Sequence, residues 1–278
     1  MTRSRGFTLI EMAIVLVIIT ILIGGLAMPL SAQIQARRIA ESDKTLDEAR
    51  EAIFGYAMSH TTTSSCSCIY HPIVDGIADS TTCPATVSCP VMTMPSIPPS
   101  DTILTLTIPT RHYLPCPDKD GDGVEEPRVG GACPQSEGYL PWVTLGTGIQ
   151  DAWGNHLRYA VTDAFSNSAG FSNTDTGDLQ ICNASANTGA NDCTPGNVAA
   201  NVPVVLVSHG PNGWGARNIN GTTLANPSSN DEKENADTVP PPDKEFVSRT
   251  PSDDFDDLVK WISADQLRGR ICSAGGCP

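Results

Sequence analysis

Three kinds of apolar spacing run through the 278 residues. The first is unbroken. Met12 to Leu30 is a run of nineteen uncharged, mostly apolar residues, close to the length of about 20 at which a helix crosses a hydrocarbon core. The second is helical: Leu30, Ile34, Leu46, Ala49, Ile53 and Ala57 recur with Arg37, Arg38, Glu41, Asp43, Lys44, Asp47, Glu48 and Arg50 between them, which fits an amphipathic helix. Joined, the two predict one helix from about Phe7 to about His60, roughly 80 Å long at about 1.5 Å per residue. Gly24, Gly25 and Pro29 mark a weak point in it, because Pro29 has no N–H for the carbonyl of Gly25. The third spacing has period two, in Thr102–Ile108, and later strand signals follow at His156–Val161 and Val202–Ser208, with Gly-, Pro- and Asn-rich turns between. The expected class is α+β, a long N-terminal helix packed on an antiparallel β-sheet with disulfide-stapled loops. Near the end, Phe255, Leu258, Val259 and Ile262 lie at helical spacing.

Composition narrows the setting. Ten cysteines, all at or beyond Cys66, form an even set suited to an exported, oxidised protein. The net charge of −14 makes nucleic acid a poor partner and favours divalent cations. About 220 residues follow the first helix, enough for one sizeable domain. Residues 61–99, rich in Thr, Ser and Pro with Cys66, Cys68, Cys83 and Cys89, read as a stapled loop with three possible pairings. Zinc is the rival there, though Cys-Ser-Cys lacks the two-residue separation of a zinc knuckle. Residues 215–251 read as an exposed, solvated insertion. Cys182 and Cys193 bracket a loop that a disulfide would close; Cys272 and Cys277 pair locally, or one of them reaches back to the body.

Glu11 stands at the edge of the apolar run, where an ionisable group is costly and marks a functional position. Gly6 and Phe7 precede it, behind a short leader carrying Arg3 and Arg5. Cleavage between Gly6 and Phe7 would leave a new α-amine four residues from Glu11 and take the net charge to −16. A secretory signal peptide has a shorter apolar region with its cleavage site after it, and a plain single-pass anchor gives no reason for Glu11. The stretch Arg5-Gly6-Phe7-Thr8-Leu9-Ile10-Glu11 resembles the processing site of type IV pilins and of the pseudopilins of type II secretion. That resemblance implies a membrane prepilin peptidase cutting after Gly6 and methylating Phe7, with Glu11 neutralising the amine of a neighbouring subunit. It also implies an inner-membrane assembly platform, a single-pass inner-membrane precursor, and a periplasmic or extracellular filament. The segment at Pro29 is similar to one that loses helix on pilin assembly, with a simple kink as the other reading. The implied division is a leader at 1–6, a transmembrane or filament-core helix at 7–30, its amphipathic half at 31–60, and a pilin-like head at 61–278.

A second resemblance covers the carboxy-terminal half. Asp151-Ala152-Trp153-Gly154-Asn155, then Ser208-His209-Gly210-Pro211-Asn212-Gly213, then Asp256-Asp257-Leu258 with Trp261, are similar to signatures of the major pseudopilin of type II secretion. In that family the last two border a calcium-binding loop, which implies Asn212, Asp256 and Asp257 as metal positions. Ala152 and Asn212 depart from the family's proline and aspartate, and about 40 residues intervene where the family has a short loop. A separate calcium candidate needs no family. Asp118-Lys119-Asp120-Gly121-Asp122-Gly123 sets carboxylates at alternate positions with glycine sixth. Val129 occupies the position of the closing glutamate, for which Glu125 or Glu126 would substitute. Cys116 and Cys133 flank this loop, and a disulfide between them would pre-shape it; the plain alternative is an acidic solvated turn.

No catalytic motif is present, and the five histidines are scattered. Tyr139, Trp142, Trp153 and Trp214 read as core plugs rather than a binding groove. The functional expectation is a self-assembling structural subunit of a type IV pilus or a type II secretion pseudopilus. The alternative is a membrane-anchored, calcium-dependent adhesin or carbohydrate-binding module that does not polymerise.

Overall fold

The computed structural model describes residues 8–62, 65–70, 80–81, 89, 102–107, 111–185, 193, 196–236 and 244–275, with backbone alone at 24–30, 65–66, 80–81, 102 and 106–107. Helix α1 runs Leu9–Ser59, 51 residues, or about 77 Å. The helix is continuous through Gly24, Gly25 and Pro29 and stops where His60 turns extended. The expected single helix is therefore present to within two residues at each end.

The two halves of α1 meet different surroundings. Between Leu9 and Ile23 twelve large apolar side chains are 43–89% exposed. Among the described residues no helix is long and apolar enough to cross a membrane; the described side chains of the expected span end at Ile23. Farther along, Leu46, Ala49, Ile53, Phe54 and Ala57 are buried. They pack on one face of a four-stranded antiparallel sheet ordered β12 (Leu258–Ile262), β10 (Val204–Ser208), β7 (Arg158–Val161), β6 (Glu137–Tyr139). Helix α5, Ala264–Ser273, closes this layer with Leu267 and Ile271, after a capping box at Ser263 and Gln266.

A second sheet covers the other face. Strands β8 (Leu179–Cys182), β9 (Asn197–Val202) and β11 (Glu245–Val247) are ordered β11-β8-β9, with β11 parallel to β8. Leu179, Ile181, Val202 and Phe246 meet Val205 and Val207 of β10 there, while Val204 and Leu206 face α1. Strand β10 is thus buried on both faces, as its unbroken apolar run allows. The expected strand Val202–Ser208 is divided at Pro203, where the ladder loses a donor; Val202 closes β9 and β10 begins at Val204.

Three expectations are corrected. The alternation at Thr102–Thr107 is a strand, β4, but it lies outside the central sheet. It pairs with β2 (Ser65–Tyr70), which in turn holds β3 (Ser80–Thr81), so the region expected as a loop carries a small sheet of its own. The apolar positions Leu258 to Ile262 form strand β12, and the helix starts only after Ser263. Four apolar residues over so short a stretch fit either period, and pairing with β10 decides for the strand. The insertion 215–251 is not a solvated loop, because it contains helix α4 (Asn230–Ala236), with Glu232, Glu234, Asn235 and Ala236 buried, and strand β11.

Disulfides join Cys68 to Cys89, Cys116 to Cys133 and Cys182 to Cys193. The first engages two of the four cysteines weighed for zinc. Cys272 is also disulfide-bonded; Cys83, Cys277 and the side chain of Cys66 lie outside the described residues.

Candidate functional site

At the amino terminus Gly6 and Phe7 lie outside the described residues. Glu11 is exposed and closes a capping box: Thr8 N and Thr8 Oγ1 both donate to Glu11 Oε2 at 2.8 Å, and Glu11 N donates to Thr8 Oγ1 at 3.3 Å. Within a single chain, Glu11 thus satisfies helix-end donors.

The Asp118 loop is arranged by its own amides. Asp118 is fully buried, and its carboxylate accepts from Gly121 N at 2.8 Å and Gly123 N at 2.7 Å. Burial pushes its carboxyl up, the two amides pull it down, and the charges of Asp122 and Asp120 raise it again. Asp120 accepts from Asp122 N, and Asp122 from Val124 N. A side chain at Gly123 could not exist, since its φ is +87° and a Cβ would sit 2.3 Å from the Trp142 ring. Of the other expected ligands, Glu125 is engaged elsewhere. It accepts from Tyr56 Oη at 2.6 Å and Cys116 N at 3.0 Å, and it pairs with Arg128 at 2.9 Å. Glu126, rather than Glu125, comes together with Asp118 and Asp120.

The three sequence signatures of the second half converge at one end of the central sheet, because Ser208 of β10 pairs with Leu258 of β12 and Val207 with Arg158 of β7. Asp151 is buried there. Its Oδ1 accepts from Trp153 N and Asn155 N at 2.9 Å, and its Oδ2 accepts from Ser208 Oγ at 2.8 Å, which fixes the turn before β7 to the end of β10. Gly210 is required where the chain leaves β10: its φ is +57°, and a Cβ would meet the Asp256 carbonyl oxygen at 2.2 Å. That close approach brings the loop after β10 onto Asp256 and Asp257.

Helix α4 supplies a third carboxylate. Glu232, Asp256 and Asp257 each offer an oxygen, and the three lie within 4.8 Å of one another. Glu232 is fully buried and Asp257 is 4% exposed. Among the described residues Glu232 Oε2, Asp256 Oδ1 and Asp257 Oδ1 have no hydrogen-bond partner. Their other oxygens are held: Glu232 Oε1 accepts from Asn212 Nδ2 at 2.8 Å, Asp256 Oδ2 from Asn212 N at 3.1 Å, and Asp257 Oδ2 from Asn235 Nδ2 at 2.8 Å. Burial, reinforced by the charges of Glu232 and Asp257, pushes the Asp256 carboxyl up to about 6. Burial likewise raises Glu232. His209 Nδ1 is 3.6 Å from Asp257 Oδ1.

Buried carboxylates with orphaned oxygens are unfavourable alone, and a hard divalent cation with oxygen ligands at about 2.3–2.6 Å suits such a set. The residues present fit calcium, which would neutralise the cluster and tie α4 to the segment before β12. Asn212 takes a different place from the expected one, donating to two of the carboxylates. Glu232 was missed because Asp231-Glu232-Lys233-Glu234 reads as a solvated acidic run, and no spacing links it to Asp256.

Tyr139, Trp142, Trp153 and Trp214, expected as core plugs, are all only partly buried. Trp142 stacks on His156 with ring centroids 4.7 Å apart, and Tyr139 lies 5.5 Å from the same ring.

Among known proteins, no curated protein and no solved structure is significantly similar to the chain. Residues 1–27 match the family described as the prokaryotic N-terminal methylation motif. The chain therefore carries the motif that is the hallmark of type IV pilins and pseudopilins.

Proposed function

We propose that this protein is a pilin-like structural subunit, cleaved after Gly6 and N-methylated on Phe7 by a prepilin peptidase, then assembled into a helical filament. The observation that carries this reading is the exposed apolar half of α1. A head with closed cores of its own projects twelve large apolar side chains that touch none of them. At about 25 cal/mol per Å² of apolar surface, covering them is worth on the order of 10–20 kcal/mol. Lipid would cover them before assembly, in a single pass of the inner membrane, and neighbouring copies would do so in the filament. Glu11, exposed in the single chain, is then available to the methylated amine of an adjacent subunit, which would compete with Thr8 for it. No catalytic step is assigned to the protein; an assembly platform in the inner membrane would do the work of polymerisation.

Within this class we favour the pseudopilus of type II secretion. The Asp151, Ser208 and Asp256 signatures come together at one end of the sheet, and the carboxylate cluster there is fit for calcium. The cation's part would be structural, acquired after export where calcium is plentiful. A membrane-anchored, calcium-dependent binder that never polymerises is the competing reading, supported by the same cluster.

The test is to recover the mature protein from its source and read its amino terminus and its assembly. Filaments built mainly of chains starting at methylated Phe7, and lost in Glu11→Ala with the head still folded, are the expected result. Chains that keep Met1 and stay solitary overturn the proposal.

A further inference from the structure

A cleft of about 260 Å³ opens between β6, the start of β7 and the loop that follows β10. It is smaller than the roughly 300–1,000 Å³ of sites for drug-sized ligands, so it admits a single small molecule or one sugar ring. Its charge runs against that of the protein. The chain carries −14 overall, yet the walls present Lys119, Arg158 and Arg217 and a single carboxylate, Glu137. That carboxylate is already paired with Arg158 at 2.5 Å. The lining side chains carry an excess of positive charge, which favours an anionic ligand, while Asp118 and Asp120 flank Lys119 along the chain.

The cations are positioned by the fold. Arg217 lies 5.6 Å from the centroid of the Tyr139 ring and donates through Nη1 to the Asp120 carbonyl at 2.5 Å. Lys119 is exposed at the rim. The floor is different in kind. His156 is 4% exposed and lines the cleft, and its Nδ1 has no hydrogen-bond partner among the described residues. Burial holds this imidazole below its ordinary value, against a hydrogen bond to the Ile149 backbone that raises it, and a neutral ring nitrogen can bond a hydroxyl. Gln135 adds a side-chain amide to the lining. Cations beside neutral hydroxyl-matching groups describe a ligand that carries both a negative charge and several hydroxyls.

We propose that this cleft binds a hexuronate, as a free sugar acid or as a residue of an acidic polysaccharide. Lys119 and Arg217 meet the carboxylate, and His156 and Gln135 meet ring hydroxyls. The site is separate from polymerisation, but it borders the carboxylate cluster through His209, which lines the cleft 3.6 Å from Asp257 Oδ1, so calcium is held constant in its test.

Titration of the detergent-solubilised full chain with galacturonate, at fixed calcium, tests this by calorimetry and by Trp142 fluorescence. Saturable binding is expected. Lys119→Met and Arg217→Gln should each weaken it about tenfold or more, the loss of one charge-assisted contact, and Lys119→Met leaves a safe variant because its side chain is exposed. Galactose should bind about tenfold or more weakly for the same reason. Polygalacturonate binding more tightly than the monomer assigns the polysaccharide source, and equal affinity per sugar assigns the free acid. Absence of saturable galacturonate binding overturns the proposal, as does galactose or inorganic phosphate matching galacturonate, or both variants binding as well as wild type.

Discussion

The two halves of α1 are one continuous helix with opposite relations to their surroundings. From Leu9 to Ile23 the more apolar half is exposed throughout, whereas from Leu46 to Ala57 the more charged half supplies side chains that are buried to within a few per cent. Burial here follows the neighbours that the fold provides rather than the hydrophobicity of the segment. The second half has neighbours on every side that matters. The sheet and α5 take its apolar stripe, and Lys260 reaches Asp43 at 2.8 Å while Arg270 reaches Glu51 at 2.5 Å. Among the described residues the first half has none within its own chain. Apolar surface so exposed is what the proposed assembly would cover, whereas the head closes cores of its own.

That contrast can be broken at either end. The largest effect should come from Ile18→Asp, which places a charge mid-way along the exposed half, at a cost of about 2.5–3.5 kcal/mol in a lipid setting. Filament formation should be abolished while the head melts as in wild type; a head destabilised by this change would mean that the two halves are not independent. Next, Ile53→Ala in the buried half should cost the head about 2–5 kcal/mol, read by denaturant unfolding of the detergent-bound chain. If unfolding is unmoved, the packing described for Ile53 is wrong.

Removing divalent cations should act on the head alone. Chelator should lower its melting temperature, by an amount equivalent to about 2.7 kcal/mol when calcium had been at about 100 times its Kd. Glu232→Gln should erase the calcium response, whereas hydrogen exchange in the Leu9–Ile23 segment should not change. A melting curve indifferent to calcium would remove the cluster as a metal site. The smallest effect belongs to Lys260→Met, which loses partly exposed ion pairs to α1 worth about 1 kcal/mol or less.

Much of the fold was legible because long, strongly periodic segments leave one reading. The 51 residues of α1 are such a case. Short segments were not: the Leu258–Ile262 stretch fits two periods, and only its ladder with β10 makes it a strand. The insertion deceived for another reason. Its charged residues signal solvent, yet Asp231 pairs with Arg249 at 2.5 Å, and Asn235 donates to Asp257 Oδ2 and to the Val247 carbonyl. Polar groups can be buried when each finds a partner, and partners distant in sequence leave no local trace. The candidate metal site divides in the same way. Asp256 and Asp257 came from the resemblance to the pseudopilin signature, which does not reach Glu232, and Glu126 stands with Asp118 and Asp120 while Tyr56, Cys116 and Arg128 hold Glu125.

Residue order alone determined the amino-terminal methylation motif, the long helix and its amphipathic second half, since each depends on neighbours along the chain. Tertiary structure decided which carboxylates gather, which cations face the cleft beside His156, and that an acidic insertion is built into the body. Those outcomes rest on close approaches between distant segments, such as Gly210 against Asp256, and a contact of that kind exists only once the sheet has set the segments side by side.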